Sequence, residues 1–202
     1  MQEMNNAVRA VAMPPGASIA PLYLGSNLAD AYAVDLPTAR ARELDMESLA
    51  RQLLGSQPGW ARKLMVVRDA IVARFGIRTA KQMEARPGKR IGIFRIFAVS
   101  DDEIIVGEDD SHLDFRISVL RNRGTGRHGS VTVASVVHCH NWVGRAYILL
   151  IRPFHKLIVQ RSLARAVTPL PASGKAALDG AGNLAYSWPV LHTAPPASSR
   201  FP

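Results

Sequence analysis

The chain has 202 residues, 48% hydrophobic and 20% charged, which suffices for one substantial core and is short for two domains. Its 25 Lys and Arg against 16 Asp and Glu give a formal charge of +9, but the basic residues are scattered through TARAR, KR, RNRGTGR and RSLAR and interrupted by DDE and GEDD, which argues against a nucleic-acid footprint. The single cysteine, Cys139, excludes an intramolecular disulfide and fits a reducing, cytoplasmic compartment.

Residues 1–21 read as a flexible N-terminal tail; MQEMNNAVRAVAMPPGAS carries an early acid and lacks a continuous apolar run, so it does not read as a signal peptide. Around Tyr32 to Leu36 a short strand is expected, closed by Pro37. Asp45 is positioned to cap a helix over MESLARQLLG that ends at Gly55. Trp60, Leu64, Val67, Ile71 and Phe75 then recur at helical spacing, with Gly76 as the stop.

After the basic loop RPGKR the period becomes two. IGIFRIFAV, EIIVGE, HLDFRISVLR and SVTVASVVHCH are separated by short polar or glycine-bearing turns, so they form an antiparallel meander of four strands. In the third, Leu113, Phe115, Ile117 and Val119 share a core face while His112, Asp114, Arg116 and Ser118 share a wetter one. From Asn141 the period is helical again: Tyr147, Leu150, Ile151, Phe154, Leu157 and Ile158 fall on one arc, with Arg145, Arg152, Lys156 and Gln160 opposite. Pro153 lies inside this helix and removes one backbone donor. Residues 167–202 are rich in Pro, Ala, Gly and Ser and read as a flexible C-terminal tail in which Trp188 could dock locally. The longest late apolar run, AYILLI, is far short of the roughly 18 residues of a membrane span.

The order strand, two helices, meander, long last helix gives an α+β fold over residues 22–166. It resembles the helix-grip fold of the START and birch-pollen-allergen-like superfamily, in which an antiparallel sheet wraps the C-terminal helix. PGWARKLMVVRDAIVARFG, VGEDDSHLDFRISVL and HNWVGRAYILLIRPFHKLIVQRSLARA are more closely similar to the bacterial domain of unknown function 2867 family within that group. The resemblance implies a cavity between sheet and helix and no established reaction. Relatives of that domain occur fused behind NAD(P)-binding domains, but no GxGxxG follows a strand here, so no cofactor is implied.

A helix-grip cavity would take an apolar small molecule with a polar or anionic end. Phe94, Ile96, Phe115, Tyr147, Ile151 and Phe154 are the apolar candidates to line it, with Arg95, Arg116 and His155 as polar ones. Arg95 interrupts the face shared by Ile91, Ile93 and Phe97, so it meets an anion if that face is internal and water if it is external. A cavity enzyme of cyclase, dehydratase or hydrolase type would depend on His155; no catalytic residue is assigned, and the oligomeric state is not legible. A third class is a basic interaction module.

HCHNWVGR admits a metal only if His138 and His140, on one strand face, recruit His112 or Asp114. Cys139 points to the other face and lacks an adjacent imidazole. The alternative is a strand-to-helix corner with Asn141 as cap, Gly144 allowing close packing and Trp142 covering the end of the core.

Overall fold

Alternation of apolar and polar residues through the second half of the chain produces an antiparallel sheet that one long helix covers. In the computed structural model the described residues are 7–37, 44–55, 66, 69, 80–85, 87–124 and 128–167. Among them seven strands, β1 (Arg9–Ala10), β2 (Leu28–Pro37), β3 (Arg90–Ile91), β4 (Phe94–Val99), β5 (Glu103–Asp109), β6 (Leu113–Asn122) and β7 (His128–Cys139), form one sheet in the order β1-β2-β7-β6-β5-β4-β3. Every pairing is antiparallel. The α-helices with described bounds are α1 (Met46–Ala50), α2 (Ala80–Glu84) and α3 (Trp142–Val167), giving an α+β fold.

Local chemistry sets several boundaries. Asp45 caps α1 by accepting from the Ser48 backbone N–H at 2.9 Å, and the helix widens into a π turn over Arg51–Gly55. The expected continuous strand IGIFRIFAV is instead broken into β3 and β4 by a two-residue hairpin, where Gly92 takes φ 57°. A bulge follows between Ile96 and Ala98. These two irregularities reverse the alternation on which the face of Arg95 was read. The helix expected over Trp60 to Phe75 lies outside the described residues except for Val66 and Asp69, both helical. Beyond Val167 the expected C-terminal tail also lies outside them.

Register assigns the two faces of the sheet. The inner face carries Tyr32, Val34, Leu36, Ile104, Val106, Ile117, Val119, Val131 and Val133, which bury against Met46, Leu49 and Leu53 and against Val159 and Leu163 of α3. Leu28, Leu113 and Val137 extend this face toward Ile148 at the other end of the helix.

The outer face is covered over β2 and β7. A flexible tail was expected over residues 1–21, yet Ala17 and Ile19 bury against Ala31, Ala134 and Val136, with Val11, Met13 and Tyr23 packed around them. The Glu103 carboxylate on β5 accepts from the Ser18 backbone N–H at 3.1 Å, from Ser18 Oγ at 2.5 Å and from Ser118 Oγ at 2.5 Å. Small residues on β2 and β7 leave room for this segment, and a buried acid fixes it.

The face of α3 that meets the sheet differs from the expected arc. Gly144, Ile148, Val159, Ser162 and Leu163 are buried, with Ile151 and His155 partly so on the same line, whereas Leu149, Leu150, Phe154 and Leu157 are exposed. Both sides of the helix carry large apolar residues, so hydropathy alone has two solutions. The inner line is marked by the close-packing Gly144 and the polar His155 and Ser162.

Candidate functional site

Midway along the inner face the apolar surface gives way to a polar group. Asp30 of β2 and Ser135 of β7 are register partners, and Ile117 of β6 pairs with Ser135 from the other side. Direct cross-strand partners hold their Cβ atoms about 4.5–5.5 Å apart on one face. From above, His155 of α3 brings Nε2 to 3.2 Å from Asp30 Oδ1. Both side chains of that pair retain about a fifth of their exposure, at 19% and 20%. Ser135 is 2% exposed, and its Oγ has no hydrogen-bond partner among the described residues.

Tyr32, two residues along β2 from Asp30, is buried among the core residues. Burial raises its phenol above the usual value; the Asp30 carboxylate adds to this and the Arg152 guanidinium opposes it. Tyr32 therefore stays protonated at neutral pH. Together these residues offer a carboxylate, an imidazole and an unengaged hydroxyl within an apolar wall, a set able to hold the hydroxyl or amine end of an apolar molecule or to move a proton.

The candidates named from sequence divide among three places. Phe94, Ile96 and Phe115 pack against the main core from the inner face, and the Phe94 and Phe115 rings meet edge-on at 5.9 Å. Tyr147 and Ile151 pack on the second cluster, where Tyr147 meets the His112 ring edge-on at 5.7 Å. Of the polar candidates only His155 reaches the polar group; Phe154 is exposed.

Arg95 and Arg116 are not on the inner wall. Register pairs both with Gly107, on the outer face, where their guanidinium carbons lie 5.1 Å and 3.7 Å from the Phe97 ring centroid. Arg116 is further bound by Asp109 Oδ1 at 2.6 Å. The bulge after Ile96 is what brings Phe97 between them. A different, unexpected ion pair is buried nearby: the Arg90 guanidinium meets the Glu108 carboxylate and also donates to the Ile93 carbonyl, pinning the β3–β4 hairpin.

At the HCHN corner each histidine has its own partner. His138 Nε2 donates to the Leu22 carbonyl at 2.8 Å on the outer face, His140 Nε2 lies 3.0 Å from Asp114 Oδ2, and His112 is buried with Nδ1 3.7 Å from Asp110 Oδ2. Among the described residues no group of three metal-ligating side chains converges, so His138, His140 and His112 are not brought together. Cys139 is half-buried on the opposite face, and burial pushes its thiol up against the opposing influence of Arg145.

Asn141 Oδ1 accepts from the Gly144 N–H at 3.0 Å as the helix cap. A Cβ on Gly144 would overlap the His112 carbonyl, so the first turn of α3 sits directly on the β5–β6 connection. Trp142, expected over the end of the core, is 71% exposed instead. It follows the cap directly, and Gly144 rather than Trp142 occupies the sheet-facing position of that turn.

Sequence reasoning missed Asp30 and Ser135. Asp30 lies in an alanine-rich run and Ser135 inside SVTVASVV, and nothing local distinguishes either from a surface or tolerated core residue; only the pairing of β2 with β7 joins them.

Among the described residues, a seven-stranded antiparallel sheet covered by one long helix, with a polar group of Asp30, Ser135 and His155 between them, defines an α+β class. The signature of the family described as "Protein of unknown function (DUF2867)" matches residues 22–162, and the chain belongs to that family. No curated protein and no solved structure matches it.

Proposed function

We propose that the chain is a small-molecule-binding domain of helix-grip type, in the START and birch-pollen-allergen-like manner. The ligand lies against the inner face beneath α3, with its polar end at Asp30, Ser135 and His155. The observation that carries this reading is the Ser135 hydroxyl, 2% exposed and without a partner among the described residues, beside a carboxylate and an imidazole. An unpaired buried hydroxyl costs about 1–3 kcal/mol, which a ligand hydroxyl or amine would recover.

The charge of the site selects the ligand class. Arg95 and Arg116 face away, and the Asp30 carboxylate disfavours a second anion, so the polar end is a hydroxyl or an amine rather than a carboxylate. Phe94, Ile96, Phe115 and Ile151 supply apolar contacts along the same wall. Thermal-shift titration with paired long-chain alcohols, amines and carboxylates tests this reading. Alcohols or amines should stabilise the wild type and lose that effect in Ser135→Val; equal stabilisation by carboxylates, or none by any of the three, contradicts it.

A second reading, a cavity enzyme of cyclase, dehydratase or hydrolase type, is favoured by the orientation of His155 by Asp30. Aligning an imidazole with a carboxylate is how a general acid-base is positioned. Turnover of a bound alcohol that disappears in His155→Gln while binding persists would select it over simple binding.

A further inference from the structure

We propose that the outward face of α3 docks the protein on an anionic membrane surface. The 26-residue helix carries five Lys and Arg and no Asp or Glu. Its inner line meets the sheet. Its outward line consists of Trp142, Leu149, Leu150, Pro153 and Leu157, of which Trp142 is 71%, Leu149 73% and Leu150 53% exposed. Side chains three, four and seven apart stack on one helix side, so these residues form one apolar stripe rather than scattered exposures.

Arg145, Arg152 and Lys156 follow one another at spacings of seven and four along one edge of that stripe, and all three are exposed. Among the described residues none of the three forms an ion pair. An apolar ridge with an aromatic at one end and a cationic row alongside is the arrangement by which a helix lies in the lipid interface: leucines enter the acyl boundary, tryptophan sits at the headgroups and basic side chains reach the phosphates. No helix among the described residues is long and apolar enough to cross a membrane, so the contact is along the surface.

The charge pattern also chooses among occupants. A second copy would add an equally acid-free, basic helix to the first, a like-charge juxtaposition that opposes self-association through this face. Pro153 lies exposed on the outward line, so the backbone donor it removes is missing on the side of the helix away from the sheet.

Cosedimentation of the full chain with phosphatidylcholine vesicles, alone or mixed in equal parts with phosphatidylglycerol, tests the proposal. The wild type should pellet with the mixed vesicles, remain in solution with phosphatidylcholine alone and be released by high salt. Leu149→Ser with Leu150→Ser, and separately Arg152→Glu with Lys156→Glu, should each lower partitioning about tenfold or more at unchanged circular dichroism.

Binding to soluble polyphosphate serves as the free-phosphate arm. Retention by polyphosphate that is insensitive to the leucine substitutions, with no vesicle binding, would overturn the proposal in favour of bulk charge. A dimer in light scattering that dissociates in the leucine variant without any vesicle binding would overturn it in favour of self-association. The stripe does not involve Asp30, Ser135 or His155, and the leucine variant leaves in place Arg152, whose charge reaches Tyr32, so its loss of vesicle binding is separable from ligand binding beneath the helix.

Discussion

His155 on α3 and Asp30 on β2, separated by 125 residues in sequence, meet at 3.2 Å and form a polar tie between helix and sheet within a largely apolar interface. Because both groups are about four-fifths buried, the tie is stronger than a surface pair and weaker than a fully desolvated one. A double-mutant cycle with Asp30→Asn and His155→Gln should give a coupling of about 1 kcal/mol in urea unfolding. Additive effects would mean that the contact does not hold in solution.

The corner at the start of α3 makes a graded prediction. Asn141→Ala removes the acceptor for the Gly144 N–H and should cost about 0.5–2 kcal/mol. Gly144→Ala drives a methyl into the His112 carbonyl and should cost about 1–3 kcal/mol or more, because backbone must move to admit it. The ratio of the two in chemical denaturation distinguishes a packed corner from a loosely capped one; equal, small effects would show that the turn does not rest on the sheet.

Glu103 should matter more to the N-terminal segment than to the sheet that carries it. Glu103→Ala leaves the Ser18 N–H and the Ser18 and Ser118 hydroxyls without their common acceptor, at a cost of about 1–3 kcal/mol. Limited proteolysis followed by mass spectrometry should show faster cleavage within residues 11–25 in the variant. Unchanged cleavage there would mean that the apolar contacts of Ala17 and Ile19 hold the segment by themselves.

Acid should destabilise the fold through Asp45 and Asp102. Hydrogen bonds from the Ser48 side chain and backbone hold Asp45 below the usual 3.8, and a hydrogen bond from Arg123, with Arg121 adding to it, does the same for Asp102. The unfolded chain therefore binds these protons more tightly. The stability they lend is fully present above about 3.8 and is lost as pH falls through their lower folded values. Melting temperatures measured from pH 6 down to about pH 2 should fall below that point, and Asp45→Asn with Asp102→Asn should flatten the decline.

Elements with one strong period were readable from the sequence. The alternation in Leu113 to Val119 identified the inner face of β6, and Asp45 and Asn141 both cap as their residue types suggest. Where two interactions compete, the local pattern pointed elsewhere. Leu150, Phe154 and Leu157 outweigh Gly144, His155 and Ser162 in hydropathy, yet only the latter line fits against the sheet. Residues 9–21 lack periodicity because they bind through a carboxylate and small apolar contacts on strands that come much later in the chain. The polar group was half legible: His155 stood out, while Asp30 and Ser135 acquire meaning only through the β2–β7 register.

The most direct test of ligand binding at Asp30, Ser135 and His155 is native mass spectrometry of the full chain incubated with a long-chain alcohol, beside Ser135→Val and His155→Gln. A one-to-one adduct on the wild type that is lost in Ser135→Val and weakened in His155→Gln is the predicted result. A wild type that takes up no alcohol, or an adduct that survives both substitutions unchanged, would contradict it.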